Sequence, residues 1–598
     1  MHLELRIDFG LKVLFGSVTH RLRVVKEGAA KVSFDTKNLV VRDVALAEGG
    51  KLDWGTPRSH PALGVELEVR LPAGVKPGEE VAITVFYSTT PQSSAIQWFE
   101  PHQTAGKAHP YCYTQCQAIL ARTLLPCMDT PSVKATYSVD ITVPSPLIAV
   151  ASGNLVGSKA STTNGAEWTT FSFNQPVRIP SYLIALASGA LQKAPIGPRS
   201  SVWTEKELLD RSVFEYSAHT EKFVATLEKK FPELPYIWGT YDLLVLPTAF
   251  PYGGMENPQL TFLNASLLTG DHSLVDVVAH EIAHSWSGNL VTNATWRDFW
   301  LNEGFTMYLE RVLVGEVVAG DDYRLFHIFL GYKELVRVIS DFLADGETNF
   351  TSLRPNLLGV DPDDAFSIVP YEKGCLFVFY LETIVGGKEE ILKWIGAMYG
   401  EHKFGTINVA QMKGSFLKYF EGKVDGKVLG GIDWNAWLEG TGLPPFDPTG
   451  LLQTKYSQEC DGVVKKWVQS KDGADLAESD IAHFKPSQVM FCLDELVTSS
   501  AMPISHEVLS SMERNYKFFS SNVEVAHRFI GLALKSKFPP AVEAVAKFLP
   551  QHGRGRYIKY LFNCLNDYDH QIAVQQWKIN QQRYHDVIVN AFANKLAN

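Results

Sequence analysis

The residues with the clearest chemical potential are two histidines and a glutamate within His280-Glu281-Ile282-Ala283-His284. On an α-helix, residues four apart lie on one face with Cβ atoms about 5–6 Å apart, so both imidazoles can bind one zinc ion. Glu281 is rotated away from that face and can reach a water molecule beside the metal. The pattern predicts zinc-dependent hydrolysis in which Glu281 takes the proton from water.

A catalytic zinc needs a third protein ligand and one open position. The candidate is Glu303, in the sequence WLNEGF, which lies far enough along the chain for one helix to end near residues 287–289 and a second to return. Glu310 lies two helical turns beyond Glu303, where it could orient a ligand or face solvent. H-E-x-x-H can occur by chance on a surface helix, but its apolar flanks and the downstream carboxylate favour a metal site.

The composition narrows the class of protein. The 598 residues include 65 acidic and 55 basic ones, for a net charge of −10, and the charges are spread along the chain. Nucleic-acid binding is not expected, because it requires a basic face. The sequence has no apolar run of about 18 residues and does not begin with a signal-peptide pattern, so we predict no membrane span and a cytoplasmic location.

The cysteines point to the same compartment. Seven cysteines are few for this length and odd in number, which indicates unpaired thiols in a reducing environment. Cys112 and Cys116 have the spacing of a metal-binding pair, but no second pair follows them. We therefore interpret both as structural residues.

Length and patterning predict a multidomain α+β protein. Residues 1–195 are predicted to form an antiparallel β domain, because apolar and polar side chains alternate in stretches such as 65–71 and 137–143. Residues 196–439, mainly helical around a β-like stretch at 241–246, are predicted to be the catalytic domain. The sequence GTGLPPFDPTG at 440–450 predicts a linker. Residues 451–598 are predicted to form an all-α domain in which one helix begins at Pro540.

Three motifs in this order resemble those of the gluzincin aminopeptidases: GGMEN at 253–257, then H-E-x-x-H, then WLNEGF. The stretches at 115–118, 126–131 and 369–374 are similar to the leukotriene A4 hydrolase branch of that family, and the likeness covers nearly the whole chain. The resemblance implies a saddle-like β domain, a thermolysin-like catalytic domain and a helical-repeat-like C-terminal domain around a deep cleft. It also implies one zinc ion per chain and short peptides as substrates.

The resemblance implies that Glu256 binds the amino end of the substrate. Its carboxylate would face the free α-amino group and so restrict the enzyme to chain ends. It implies further substrate contacts from Gln115, Gln117, Gly253, Gly254 and Met255. The two glycines suit such a place, because small residues allow a second chain to approach closely. From the residues alone, Glu256 could instead be a turn carboxylate and the two glutamines buried strand amides.

The remaining assignments concern the reaction centre and the far end of the substrate. Tyr371 resembles the tyrosine that stabilises a tetrahedral oxyanion, and Arg554 with Arg556 resembles a site for the substrate carboxylate. Asp363 is similar to the aspartate associated with epoxide hydrolysis and with basic first residues. Two positions depart from the branch: Phe366 replaces a tyrosine that reacts with the lipid epoxide, and Arg556 replaces a lysine. Without the resemblance, Tyr371 would be a packing residue and the arginines a solvated surface.

Three functions fit these residues. The leading hypothesis is a zinc aminopeptidase acting on short peptides, with a monomer favoured. The second is hydrolysis of a lipid epoxide fatty acid in the same cleft, which Tyr371, Asp363 and Arg554 motivate and Phe366 weakens. The third is a catalytically silent peptide-binding scaffold, against which the intact ligands, base and tyrosine argue.

Overall fold

The structure is a computed structural model that describes residues 1–163, 165–593 and 595–596. A β domain comes first, with strands β1 His2–Asp8, β2 Val13–Arg23, β3 Lys31–Thr36, β4 Leu39–Leu46, β5 Trp54–Gly55, β6 Ser59–His60, β7 Gly64–Arg70, β8 Glu80–Thr89, β9 Ile96–Phe99, β10 Tyr111–Thr114, β11 Lys134–Pro144, β12 Ile148–Ala151, β13 Asn154–Thr163, β14 Ala166–Pro180 and β15 Leu186–Gly189. One sheet has the order β13-β14-β11-β1-β2-β8-β4, a second has the order β12-β15-β10-β9, and β3, β5, β6 and β7 form a third. The alternating stretches predicted as strands contain β7, which buries Leu67 and Val69, and β11, which buries every second residue from Tyr137 to Val143.

One ladder departs from the antiparallel prediction. Strand β1 pairs with β11 in parallel, with Leu3 opposite Val139 and Leu5 opposite Ile141. The other ladders in the described part of this domain are antiparallel. Alternation in the sequence indicates a half-buried strand, but the direction of a neighbour depends on the path of the chain between the two strands.

The second domain combines a smaller sheet with helices. Its elements are β16 Leu191–Pro195, β17 Ser201–Glu205, α1 Lys206–Ser217, α2 Thr220–Lys230, β18 Asp242–Leu246, β19 Gly254–Met255, β20 Leu260–Asn264, α3 Val275–Ala283, β21 Thr292–Asn293, α4 Trp300–Val314, α5 Asp321–Ala344, α6 Val369–Val385, α7 Lys388–His402, β22 Thr406–Ile407, α8 Val409–Phe420, α9 Gly426–Gly430 and α10 Trp434–Leu438. The sheet has the order β16-β17-β18-β20-β19, and its central strands run parallel. Both β18 and β20 are buried throughout, as strands covered on both faces are.

Strand pairing bears on where the first domain ends. Strands β16 and β17 form a hairpin, with Leu191 opposite Glu205, and the predicted boundary between residues 195 and 196 lies inside it. Strand β15 instead pairs with β10 and β12 of the first domain. We therefore propose a boundary near residue 190.

The predicted linker contains neither helix nor strand over residues 441–448. It is nevertheless tied down, because Lys373 of α6 donates hydrogen bonds to the carbonyl oxygens of Gly440 and Gly442, each at 3.0 Å. A third hydrogen bond from the same ammonium reaches the carbonyl of Thr351 at 2.8 Å. The segment is thus fixed to the catalytic domain at its start.

The last domain is helical. Its helices are α11 Lys455–Gln469, α12 Pro486–Thr498, α13 His506–Tyr516, α14 Val523–Lys535, α15 Pro540–Phe548, α16 Gly555–Tyr568, α17 His570–Asn580 and α18 Asp586–Phe592. Helix α12 packs on α11 and α14, and α14 packs in turn on α15 and α16. Helix α15 begins at Pro540, as the sequence predicts, and it buries Val545.

The cysteines and the helices bear on disulfide bonding and on membrane crossing. All seven cysteines are buried and none forms a disulfide, so the prediction of unpaired thiols is confirmed. Among the described residues, no helix combines the length and apolar character needed to cross a bilayer.

Lys134 of β11 connects the β domain to the catalytic domain. Its ammonium donates to the carbonyl oxygens of Asn289, Leu290 and Gly405 at 2.9, 3.1 and 3.2 Å. Burial lowers the pKa of Lys134 to about 7, and the three carbonyl acceptors satisfy its donors. The β domain therefore holds the loop that follows α3.

Candidate active site

Helices α3 and α4 bring the three predicted zinc ligands together. His280 lies in the last turn of α3, His284 caps that helix, and Glu303 lies in the first turn of α4. The two Nε2 atoms are 3.1 Å apart, and Glu303 Oε2 lies 3.4 Å from His280 Nε2 and 3.2 Å from His284 Nε2. Ligands bound tetrahedrally at 2.0–2.1 Å would be about 3.3 Å apart. The triangle therefore fits a zinc ion, with a fourth position left for solvent or substrate.

The turn after α3 orients the second histidine. The helix ends at Ala283, a few residues before the predicted stretch 287–289, and the carbonyl of Ser287 faces His284 Nδ1 at 2.9 Å. Gly288 adopts a φ of +107°, and a Cβ there would lie 2.9 Å from His284 Nδ1. The tight turn leaves Nε2 as the free nitrogen for a metal.

Glu310 orients the first histidine. Its Oε2 lies 3.0 Å from His280 Nδ1, and the residue is buried, with 7% of its surface exposed. A carboxylate on the far nitrogen fixes the tautomer and makes the imidazole a stronger ligand. The sequence left two roles open for Glu310. The side chain lies behind His280, where it can orient the ring, and it does not face solvent.

We expect Glu310→Gln to weaken zinc binding by about 10- to 100-fold, because the neutral amide no longer polarises the His280 ring. Competition with a chromophoric chelator measures this affinity directly. Glu316→Gln, a glutamate six residues further along that pairs with Lys230 and Lys388, is the control and should bind zinc normally. Equal zinc affinity in the two variants would contradict the role of Glu310.

Two further carboxylates face the same space. Glu256 Oε1 and Glu281 Oε2 are buried and lack a hydrogen-bond partner among the described residues. Burial raises the pKa of Glu281 to about 8 and also raises the pKa of Glu256. A cation beside either group would lower its pKa again. Each of these buried carboxylates thus keeps one oxygen, without a hydrogen-bond partner among the described residues, that a bound cation could meet.

The two glycines ahead of Glu256 make room for other side chains. A Cβ on Gly254 would lie 2.3 Å from Glu281 Oε1, and a Cβ on Gly253 would lie 2.6 Å from Arg554 Nη2. Any side chain at these positions would therefore displace one of the two charged groups. The sequence predicted small residues here for the approach of a peptide, and the structure adds this second reason.

The glutamines lie on the β-domain side of the site. Gln115 is buried and donates from Nε2 to the sulfur of Met255 at 3.1 Å, while its Oε1 has no partner among the described residues. Gln117 Nε2 is likewise buried and unpartnered. Each glutamine thus retains one polar atom that a bound molecule could satisfy.

Tyr371 lies in the first turn of α6, beside the ligand triangle. Its ring stacks on His280 with centroids 6.1 Å apart and an interplanar angle of 24°, and Phe299 and Phe366 contact it edge-on. Burial and the nearby Glu303 carboxylate hold the pKa of the phenol well above its usual range. The hydroxyl therefore stays protonated and available as a hydrogen-bond donor.

Arg554 belongs to a buried charge cluster and not to a solvated surface. Its Nη1 donates to the hydroxyl of Tyr557 at 2.9 Å, and that hydroxyl donates to Glu524 Oε1 at 2.7 Å. Arg528 donates to the other Glu524 oxygen at 2.6 Å. Arg556 is 40% exposed and lies 3.9 Å from Glu524, so it is the outer member of the cluster.

An apolar cavity adjoins the reaction centre. Its lining includes Gln117, Tyr252, Trp296, Phe299, Asp363 and Phe366. Asp363 accepts a hydrogen bond from the backbone N–H of Ala118 at 3.3 Å. Asp361 instead accepts a hydrogen bond from the N–H of Asp363. Of these aspartates, Asp363 is the one in the lining of the cavity.

Comparison with known proteins covers the three domains in turn. Residues 1–183 match the peptidase M1 N-terminal domain, residues 215–434 match the peptidase family M1 domain, and residues 484–596 match the leukotriene A4 hydrolase C-terminal domain. The chain belongs to peptidase family M1. This M1 protein is therefore a zinc-dependent hydrolase, and the predicted three-domain fold is confirmed.

Similar proteins span almost the whole M1 chain. It is 39% identical to a leukotriene A-4 hydrolase of Xenopus laevis over 95% of its own length and 92% of the relative. It is 38% identical to leucine aminopeptidase 2 of Neosartorya fischeri over 98% and 94% of the two chains. The structure of yeast LTA4 hydrolase in complex with bestatin superimposes with a TM-score of 0.90, at 33% identity, over all of this chain and 95% of that one.

Several neighbours of the site were not identified from the sequence. Tyr252 lines the cavity directly before the two glycines, and its place next to GGMEN was a signal that could have found it. Glu524 and Tyr557 hold Arg554, but they are ordinary residues of helices α14 and α16. Nothing in their local sequence marks them, because their role depends on helix packing in the last domain.

Proposed function

We propose that this protein is an aminopeptidase that removes the first residue from short peptides, using one zinc ion per chain held by His280, His284 and Glu303. The observation that carries the proposal is the triangle of His280, His284 and Glu303. Beside it, Glu256 and Glu281 each keep one oxygen without a hydrogen-bond partner in the described part of the chain. When bound, zinc would supply Lewis-acid chemistry, by lowering the pKa of a water molecule and polarising the substrate carbonyl.

Glu281 is the proposed general base. It follows a ligand directly and lies within the same buried group as His284 and Glu256. Its free Oε2 can accept a proton from the attacking water and later donate it to the leaving amine. Burial favours the protonated form, and the metal favours the carboxylate, so the group can pass between the two during turnover.

Glu256 is the proposed receptor for the free α-amino group. Its unpartnered Oε1 can pair with the ammonium of a peptide. Gln115, Gln117 and Met255 would line the same end of the peptide. A blocked amino group would leave this buried carboxylate unpaired, which is why such a site selects chain ends.

Tyr371 is the proposed oxyanion donor. Its ring stacks on the ring of His280, and Phe299 and Phe366 contact it edge-on. We place its protonated hydroxyl near the position where the oxyanion would form. A donor in that place stabilises charge that develops only in the transition state.

Arg554, with Arg556 beside it, is the proposed site for the substrate carboxylate, and its position would limit peptide length. Glu281 Oε1 and Arg554 Nη2 lie 2.3 and 2.6 Å from the Cβ positions of the neighbouring Gly254 and Gly253. The two charged groups are therefore at most about 11 Å apart, roughly three residues of extended chain. The proposed substrates are peptides of about two to four residues.

We expect Arg554→Gln to lower kcat/KM for peptides with a free C-terminal carboxylate by about 10- to 100-fold, the contribution of a charged hydrogen bond. The same peptides with a C-terminal amide should lose less than about twofold, because Arg554 has no charge to pair with in them. Arg337→Gln, at an arginine on α5 with 51% of its side chain exposed, is the control. Equal losses for acid and amide peptides would rule out carboxylate recognition by Arg554.

The experiment that tests the proposal as a whole is a panel of aminoacyl fluorogenic substrates assayed with and without a zinc chelator. We expect release of the first residue, loss of activity on chelation, and recovery when zinc is added. A protein that contains zinc but cleaves no member of the panel would instead support the peptide-binding scaffold.

Hydrolysis of a lipid epoxide in the same cleft is a second candidate, supported by the apolar cavity that adjoins Asp363 and Tyr371. Such a cavity could hold the hydrocarbon of a fatty acid whose carboxylate meets Arg554. Phe366 offers no hydroxyl there and is 51% exposed. Incubation with an allylic epoxide fatty acid should yield a diol above the level of heat-inactivated enzyme. Equal amounts in the two samples would eliminate this activity.

We further propose that the protein works as a monomer in the cytoplasm. The proposed ligands, base, oxyanion donor and carboxylate site all come from one chain, and the seven unpaired thiols suit a reducing compartment. Light scattering on the purified protein at assay concentration measures the oligomeric state.

A further inference from the structure

A buried ion pair connects the helix of the zinc ligand to the helix of the proposed oxyanion donor. Arg311 of α4 donates from Nη2 to both oxygens of Glu372 of α6, at 2.7 and 2.6 Å. Its Nη1 lies 3.0 Å from the sulfur of Cys375, one turn further along α6. Both charged side chains are buried. Such a pair fixes geometry more than it adds stability, because desolvation offsets most of the attraction.

The two partners are neighbours in sequence of residues already placed at the site. Arg311 follows Glu310, which contacts His280, and Glu372 follows Tyr371. The pair therefore joins the backbone that supports the zinc ligands to the backbone that carries the phenol. Any slide of α6 along α4 would stretch this contact and move Tyr371 relative to the metal.

The same two helices also meet through glycines. A Cβ on Gly304 would lie 2.6 Å from the Cα of Gly374, so the backbones of α4 and α6 are in direct contact there. Gly304 follows the ligand Glu303, and Gly374 lies one turn beyond Tyr371. Close backbone contact sets the separation of the helices, and the ion pair sets their register.

A third helix encloses the pair. A Cβ on Gly331 of α5 would lie 2.0 Å from Glu372 Oε2 and 2.3 Å from Arg311 Nη2. Only a glycine leaves room for both charged groups at this point of α5. The absence of a side chain at Gly331 thus leaves the space that the ion pair occupies. A methyl group at this position would disturb the pair and leave both charges in place.

We infer that Arg311 and Glu372 are positioning residues that hold the hydroxyl of Tyr371 at the place where the oxyanion forms. The inference rests on the proposed function of Tyr371. It predicts that damage to the pair lowers kcat and leaves KM and zinc binding nearly unchanged. An oxyanion donor acts only in the transition state, and small misplacements of such a group lower rates severely.

A second buried pair on the same helix provides a matched control. Arg324 of α5 donates to both oxygens of Glu382 of α6 at 3.0 Å each, and Tyr308 of α4 donates to Glu382 at 2.6 Å. This pair has the same chemistry and burial, but Glu382 lies ten residues beyond Glu372, away from the site. Loss of either pair should reduce thermal stability, whereas only loss of the first should affect Tyr371.

The experiment compares Glu372→Gln and Gly331→Ala with Glu382→Gln. We expect all three to lower the melting temperature and to keep zinc. Glu372→Gln and Gly331→Ala should lower kcat by about tenfold or more with KM within about twofold, and Glu382→Gln should keep normal kcat. If Glu372→Gln does not fold, Gly331→Ala supports the same comparison with both charges retained. Equal kcat losses in all three variants, or normal kcat in Gly331→Ala and Glu372→Gln, would overturn the inference.

A double-mutant cycle separates the inference from the proposed function. Tyr371→Phe should lower kcat by about 100-fold, the contribution of one oxyanion donor. Adding Glu372→Gln to it should lower kcat no further, because no hydroxyl remains to be positioned. Independent, multiplied losses would overturn the inference and leave the role of Tyr371 intact. A normal rate for Tyr371→Phe would overturn both.

Discussion

Glu281→Gln is expected to lower kcat by about 1,000-fold or more while the protein keeps its zinc. Glutamine has the shape of glutamate, and the absence of a side chain on Gly254 leaves the same space for it. It cannot accept the proton of the attacking water, and general acid–base catalysis typically contributes 10²–10⁴-fold. Single-turnover rates on an aminoacyl fluorogenic substrate, with zinc measured by atomic emission on the same sample, check this prediction.

Zinc should remain in this variant because Glu281 is not one of the proposed ligands. The triangle of His280, His284 and Glu303 is complete without it. Glu303→Gln is the informative partner, since loss of a ligand should remove zinc and activity together. A Glu281→Gln enzyme with a normal rate would refute the role of Glu281 as base, and one that lost zinc would show that the residue belongs to the metal site.

Glu256→Gln is expected to lower kcat/KM on peptides with a free amino terminus by about 1,000-fold, again with zinc retained. In the proposed complex, the Glu256 carboxylate and the substrate ammonium would form a buried ion pair, and removal of one partner of such a pair typically costs about 3–5 kcal/mol. Glu256 is 4% exposed, so water cannot take over the role of the missing charge. Steady-state kinetics on a free peptide and its N-acetylated form measure the effect.

The acetylated peptide is the control within this experiment. The wild-type enzyme should strongly prefer the free amine, and the variant should lose most of that preference, because the group that distinguishes the two substrates is gone. A variant that lost zinc and activity in the same proportion would indicate damage to the metal centre. A variant that kept the full preference would assign amine recognition to another residue.

The three proposed zinc ligands could be predicted because they lie in short motifs that are close together in the sequence. His280 and His284 are four residues apart on one helix, and Glu303 occurs in a short motif at a spacing that allows a second helix to return. Period-2 alternation likewise predicted β7 and β11. By contrast, β20 reads LTFLN and is buried on both faces, so it shows no alternation and was missed.

The sequence could not supply the contacts that depend on how helices and strands pack within each domain. Arg554 donates hydrogen bonds to Glu524 and Tyr557, and these contacts depend on how α14 packs against α16. The parallel pairing of β1 with β11 depends on the path of more than a hundred residues between them. Such contacts are set by tertiary packing, and single-sequence patterns carry little information about it.

The buried lysine of β11 has a consequence for how the protein can be divided. Lys134 supplies the donors for the carbonyl oxygens of Asn289, Leu290 and Gly405, and Asn289 in turn donates to the carbonyl of Glu256 at 2.7 Å. A fragment beginning near residue 190 would leave those three oxygens without this partner, beside the contact between Asn289 and Glu256. The amino-terminal domain thus supports the candidate site, and we expect a fragment that lacks this domain to have a loosened substrate pocket.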